Sequence, residues 1–317
     1  MNIQDQRNGN GARTQVLRSQ QQGPWLRLNA TQNRRLDEIQ HEFGIDIVRA
    51  VQGNASQDGE FGYFPITFLS LEQGQKKISR VVFAVGRQAV ISLEPDPAPA
   101  PLAAAEQRIA RDGRNNDAFE CFAVILQTIN DATDELLDAL NHDLGKVLVQ
   151  TNSVLNSLES RDRDFGVSDV VSAQLDLGEV EKLLSDCIES QLQLALAARH
   201  ALARLPAGDS WLKPLFHTLI DDIEAVEEHV SFVHDRVRLL QTTNNMALNV
   251  KQNQIVKVFS VITAVFLPAM LISTYYSMNV ANMPILEWQY GEPMIIVLTA
   301  VLALLPLLYV KRRGWLR

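Results

Sequence analysis

Two uncharged stretches near the C-terminus, Val258 to Tyr276 and Met294 to Val310, constrain this chain more than anything else in it. The first approaches the ~20 residues a helix needs to cross hydrocarbon, and the second sits near the lower limit of ~17. A polar run from Asn244 to Gln254 leads into the first without a Pro or Gly to stop a helix. Before it, Leu219, Ile223, Val226, Val230, Val233, Val237 and Leu240 recur at alternating steps of four and three, which lines apolar side chains along one helical stripe. The expectation is one helix, a soluble stalk continuing into a membrane span, with a stripe that requires a partner.

Charge orients the two spans. Lys251 and Lys257 precede the first, Lys311, Arg312, Arg313 and Arg317 follow the second, and the loop between carries Glu287 and Glu292 but no Lys or Arg. Basic flanks stay cytoplasmic, so both ends are expected to be cytoplasmic, with a short loop exposed on the other side. Trp288, Tyr290, Tyr309 and Trp315 fall where interfacial rings would hold such a hairpin.

The chain of 317 residues carries a net charge of −8 with its basic residues scattered, which leaves no electrostatic footprint for nucleic acid. An acidic surface suits cations better. The two cysteines, Cys121 and Cys187, fall in predicted helices without a CxxC partner, as in a reducing compartment. The polar, glycine-containing N-terminus has no apolar central region, so a disordered tail is expected rather than a signal peptide.

In chain order, Arg34 to Phe43 reads as an amphipathic helix closed by Gly44, followed by strand-like runs at Ile45 to Val51 and Phe61 to Leu71 and by a hairpin around Gly86 and Arg87. Pro95, Pro97, Pro99 and Pro101 cannot donate to a ladder and read as a stiff connection. Asp117 caps a long helix to about Leu158; Ser168 or Asp169 starts another to Leu205, and a third from Pro214 or Leu215 becomes the stalk. The expected organisation is a tail (1–24), a small α/β domain (25–101), a cytoplasmic helical layer (102–214), the stalk (215–257), the first span with its end motif (258–279), an outer loop (280–293), the second span (294–310) and a basic tail (311–317). This is an α+β cytoplasmic domain with long helices plus two transmembrane helices.

The six histidines form no HExxH or Cys/His ligand set, and no GxxxxGK[ST] loop, GxSxG elbow or GxGxxG turn occurs. An enzyme reading has no residues to rest on.

The stretch FLPAMLISTYYSMNVANMPILEW, with the tail KRRGWL, resembles the CorA family of two-span divalent-cation transporters, whose first span ends in Gly-Met-Asn after a Tyr and is followed by a short acidic loop. Tyr276, Ser277, Met278 and Asn279 occupy those places, supported by NQIVKVF from Asn253 to Phe259, by Phe266, Leu267 and Pro268, and by Met283, Pro284, Trp288, Tyr290, Gly291, Gly314, Trp315 and Leu316. The resemblance implies a funnel-shaped homopentamer in the lipid bilayer, a pore lined by the first span, and passive flux of Mg²⁺ or a related divalent ion, with no enzymatic cofactor. A ring of Asn279 amides would hold a hydrated cation at the outer mouth, with Ser277 and Met278 beside it, in keeping with the reluctance of Mg²⁺ to shed water. Counting inward gives Met270, Phe266 or Leu267, Thr263, Phe259 and Val256 as pore-facing residues, apolar rings that would gate by dewetting. Regulatory Mg²⁺ would bridge carboxylates among Asp221, Asp222, Glu224, Glu227 and Glu228.

Two departures carry weight. Ser277 stands where the family has Gly, and Ile285 where an acidic residue usually follows Met-Pro, the nearest carboxylate being Glu287. They motivate a second expectation, a divergent, CmaX-like member acting as a membrane scaffold in envelope homeostasis or stress response and conducting poorly or not at all.

Overall fold

The computed structural model describes residues 24–29, 33–47, 57–112, 117–159, 167–278 and 288–312. In chain order the elements are β1 (Trp25–Asn29), α1 (Asn33–Phe43), β2 (Gln57–Asp58), β3 (Phe61–Glu72), β4 (Gln75–Val85), β5 (Val90–Glu94), α2 (Ala100–Asp112), α3 (Ala118–Glu159), α4 (Val167–Ala203), a 3₁₀ turn (Ala207–Asp209), α5 (Leu212–Ser277) and α6 (Gly291–Arg312). Two compact units result, one of Met1–Gln150 and Gln174–Gln241, the other of Thr151–Ala173 and Thr242–Arg317.

In the first unit the strands form one sheet ordered β1-β5-β4-β3-β2, antiparallel except where β1 runs parallel to β5. The β3–β4 hairpin turns at Gln73 and Gly74, both at positive φ (51° and 79°), the geometry whose twist matches the flanking strands. Alternation then sorts the side chains. Ile66, Phe68, Val81, Phe83 and Val90 join α2, the start of α3, the end of α4 and the start of α5 in one core. There the Phe122 ring lies 5.5 Å from Phe64 and 5.7 Å from Phe83. Tyr63, Val82, Ala84, Ile91 and Leu93 pack with Ile39 of α1, and with Ile45 and Ile47, in a second core.

The expected strand at Ile45 is absent in its described part. Ile45 is buried in irregular chain, and positions 48–51 lie outside the described residues. The proline connection is shorter than expected, because α2 begins at Ala100 with Pro101 in its first turn, where a missing N–H costs nothing. The Ala100 N–H donates to Glu72 Oε1 at 2.9 Å, and Lys77 with this amide holds the Glu72 carboxyl below its ordinary range. At the next helix the cap is as expected: Asp117 Oδ1 accepts from the Phe119 N–H at 2.8 Å and from Glu120 at 3.3 Å.

One polar cluster fastens β1. Buried Glu94 accepts from Arg27 Nε at 2.9 Å and from a terminal guanidinium nitrogen at 2.6 Å, while Ser92 Oγ donates to it at 2.6 Å and accepts from Trp25 Nε1 at 3.0 Å. Arg27 also reaches Glu106 of α2. Burial pulls the guanidinium pKa down, but the bonds and charges of Glu94 and Glu106 outweigh it and the net direction is up. Removing one member of a buried pair leaves the other uncompensated, so Glu94→Ala is expected to cost about 3 kcal/mol, read as a lower thermal midpoint in detergent.

The stalk stripe finds its partner within the chain. Val230, Val233, Val237 and Leu240 pack with Leu136, Leu137, Leu140 and Leu144 of α3 and Leu177, Leu184 and Cys187 of α4 in a third core, and Leu219 and Ile223 join the first. Two antiparallel helices of the same chain thus occupy the face that, from the spacing alone, asks for copies of itself.

In the second unit α5 continues and α6 follows. Both are long and apolar enough to cross a membrane, and none of the membrane-length window of α5 is buried within the chain.

Candidate functional site

The site is carried by α5, which runs 66 residues without interruption from Leu212 to Ser277, about 100 Å at 1.5 Å per residue. Stalk and first span are therefore one helix. Beyond the first turn it holds one proline, Pro268, which has no N–H for the carbonyl of Ala264 four residues before it.

Val256, Phe259, Thr263, Leu267 and Met270 follow at steps of three and four, so they share one face of α5, and all five are exposed in the single chain. Phe266 is exposed too, one position off this line. The hydroxyls here are committed to their own helix: Ser260 Oγ donates to the Val256 carbonyl at 2.8 Å, and Thr263 Oγ1 to that of Phe259 at 2.9 Å. Each oxygen keeps lone pairs that can accept from a hydrated ion.

Asn279 lies outside the described residues, as do Met283, Pro284, Ile285 and Glu287. Beside it, Ser277 is the last residue of α5, its Oγ donating to the Thr274 carbonyl at 2.9 Å, and Met278 is exposed. The rings of Tyr275 and Tyr276 meet edge to face at 5.2 Å, and those of Trp288 and Tyr290 at 6.1 Å. Glu292 falls in the first turn of α6, and Lys311 and Arg312 in its last, each at the end of the helix dipole that stabilises its charge.

The same periodicity brings in Thr274, Asn249 and Asn253, which the sequence reading left off this line. Thr274 and then Ser277 continue the stripe toward the C-terminal end of α5, and Asn253 and Asn249 toward its N-terminal end, all four exposed. The signal was available: polar side chains at steps of three and four from Thr263.

The acidic residues of the upper stalk divide. Glu224 pairs with Arg199 of α4, whereas Asp221, Asp222 and Glu228 are exposed and Glu227 is half-buried. Close by, His229 Nδ1 faces Asp134 Oδ1 at 3.3 Å and its Nε2 faces the Asn141 amide nitrogen at 3.3 Å, while Arg236 donates to the Asn141 oxygen at 3.2 Å. Among the described residues no group of three or more His, Cys, Asp or Glu is arranged to hold a metal ion. Both thiols are buried, and desolvation pushes each up to about 12. Such groups stay protonated at mildly alkaline pH. Cys121 and Cys187 are accordingly expected to resist iodoacetamide in the native protein and to react fully once it is denatured.

A second apolar line on α5 remains uncovered. Phe232, Leu239 and Met246 recur every seven residues and are 65%, 66% and 61% exposed.

A magnesium transport protein CorA of Haemophilus influenzae is 28% identical over 205 residues, covering 64% of this chain and 62% of that protein. One from Haemophilus ducreyi is 30% identical over 195 residues, covering 59% and 60%. The chain thus spans about three fifths of the length of the curated relatives it matches. In fold it is similar to the complete CorA magnesium transporter of Methanocaldococcus jannaschii (TM-score 0.68, 16% identity, 92% of this chain and 90% of that one). It is also similar to the full-length CmaX protein (TM-score 0.64, 15% identity, 92% and 88%). The model of the CorA-like Mg²⁺ transporter proteins matches residues 20–312, from β1 through both membrane-length helices, and the chain belongs to that family.

Proposed function

We propose that the chain forms a homopentameric channel in a bacterial inner membrane, with both termini cytoplasmic, that passes Mg²⁺ or a related divalent cation. The observation that carries this reading is α5 itself. A helix locked along its lower half to α3 and α4 continues unbroken into an uncharged stripe ending beside the Tyr-Ser-Met-Asn motif. Cyclic symmetry would bring five such stripes around one axis, and the exposed line of Phe232, Leu239 and Met246 supports contact between neighbouring stalks.

Within that assembly Val256, Phe259, Leu267 and Met270 form apolar rings that close the pore by dewetting, Thr263 offers an accepting oxygen, and Asn279 holds the hydrated ion at the outer mouth beside Ser277 and Met278. An uncharged amide ring suits an ion that keeps its water and must also leave. Inward flow of a divalent cation is favoured by about 4.6 kcal/mol per 100 mV of membrane potential, so no nucleotide is required. Because Arg199 already neutralises Glu224, the regulatory reading rests mainly on Asp221, Asp222 and Glu228. Millimolar Mg²⁺ is expected to slow amide exchange around them, and equal exchange with and without the ion would remove it.

The deciding experiment is uptake by wild-type protein in dye-loaded proteoliposomes under an imposed potential, with Mg²⁺, Co²⁺, Ni²⁺ and Zn²⁺ in turn. Flux with any of them supports the channel. Flux at the protein-free background for all four would overturn it and leave the membrane scaffold, involved in envelope homeostasis or stress response. One observation favours that second reading: α5 stays helical through Ser277, whose hydroxyl proton is spent on the Thr274 carbonyl, where a glycine would release the backbone. On that reading Ser277→Gly raises uptake severalfold.

A further inference from the structure

Within the first unit, the buried polar atoms that find no protein partner are not scattered. Among the described residues there are seven, and six of them belong to Ser70, Ser79, Asn130, Ser190 and Gln191, the last through both its amide oxygen and nitrogen. Each of these five residues is almost fully buried. They mark one level of the structure, where the first core gives way to the third. On α3 the change falls between Ile129 and Leu136 and on α4 between Leu194 and Cys187, while on the hairpin Ser70 and Ser79 share the face of Phe68, a residue of the first core.

Local geometry ties the band together. Ser79 lies opposite Phe68 and Ser70 opposite Lys77, which makes the two serines diagonal neighbours on one face of the hairpin. The Thr67 N–H donates to Gln193 Oε1 at 2.6 Å, joining β3 to α4 two residues from Gln191. Buried Thr133, one turn beyond Asn130, spends its hydroxyl on the Ile129 carbonyl. Four of the buried side chains here, Ser70, Ser79, Thr133 and Ser190, are smaller than the Phe, Leu and Ile of the neighbouring cores.

Six desolvated groups left without partners would together rival the entire folding stability of an ordinary domain. Water removes that cost. A buried water makes about three hydrogen bonds, and the band presents both donors and acceptors, three hydroxyls and the Gln191 nitrogen against the oxygens of Asn130 and Gln191. We propose that this band is an internal hydration site, holding about two ordered waters that bridge the β3–β4 hairpin to α3 and α4 and divide the helical layer into two apolar blocks.

The two buried thiols provide the test. Cys187 stands three and four residues before Ser190 and Gln191, on the face of α4 turned to the band. Cys121 sits inside the first core, nine positions or about 13 Å along α3 from Asn130. X-ray radiolysis of the full-length protein in detergent creates hydroxyl radicals from bound water in place, and mass spectrometry reads the oxidation of each cysteine. Cys187 is expected to oxidise several-fold faster than Cys121 although both are fully buried, and Ser190→Ala combined with Gln191→Leu brings it down to the rate of Cys121. If that variant does not fold, Asn130→Leu supplies the same comparison. Equal slow oxidation of the two thiols in the wild type would mean a dry band and overturn the proposal. So would fast oxidation of Cys187 that survives in a folded variant, since the radicals would then come from bulk solvent through opening of the chain.

Discussion

Val233→Asp is expected to abolish the cooperative thermal transition of the protein in detergent, while Phe232→Asp, one residue earlier on α5, leaves that transition within a degree or two of wild type. The contrast follows from a rotation of about 100° around the helix. Val233 is fully buried in the third core among leucines of α3 and α4, where desolvating an aspartate costs about 3–5 kcal/mol. Stabilities of about 5–15 kcal/mol leave little margin for such a loss. Phe232 is 65% exposed, and exposed substitutions shift stability by about 0.5 kcal/mol or less. Its expected effect is on assembly: the proposed stalk contacts would gain a ring of like charges, so light scattering should show smaller particles. A folded, wild-type-like Val233→Asp protein would contradict the packing of the stripe, and an unchanged particle mass for Phe232→Asp would remove the exposed line from the interface.

Asn279→Ala is expected to reduce divalent-cation uptake into dye-loaded proteoliposomes to the protein-free background, with the oligomer intact by cross-linking. The argument starts from the end of α5. Its stripe runs outward through Met270, Thr274 and Ser277, and two residues further stands the amide that the Tyr-Ser-Met-Asn motif supplies. In the proposed pore this amide would be the first acceptor met by the water shell of an entering ion, so removing it would take away the first resting place. Alanine is small and uncharged, which rules out simple plugging as the cause of lost flux. Undiminished uptake by the variant would place ion recognition elsewhere.

How much of this was legible beforehand depends on how far apart the deciding residues lie. Periodicity within one segment served well: the uninterrupted helix through Val258, the strands at Phe61 and Val90, and the Asp117 cap are all local patterns. Pairings between distant segments left no such trace. The parallel match of Trp25–Asn29 to Val90–Glu94 rests on a register that neither stretch announces. The stripe at Val230 to Leu240 told of a partner but not that α3 and α4 would supply it. The helix at Ala100 was hidden by the prolines before it, although its alanine-rich sequence favours a helix once Pro101 falls in the first turn. On α5 the counted line stopped at Met270 at one end and Val256 at the other, so Thr274 and Asn253, which continue it at the same steps, were left out of it.

The filling of the stalk stripe by α3 and α4 has a consequence for biogenesis. A subunit whose heptad face is already satisfied need not wait for its neighbours before leaving the ribosome in native form. In the proposed assembly, maturation would be two events in succession, a concentration-independent one that completes each protomer and a bimolecular one that gathers protomers in the bilayer. Dilution would then yield competent monomers rather than denatured chains, and lesions in the two steps would sort into separate phenotypes: degraded polypeptide for the first, stable but unassembled protein for the second.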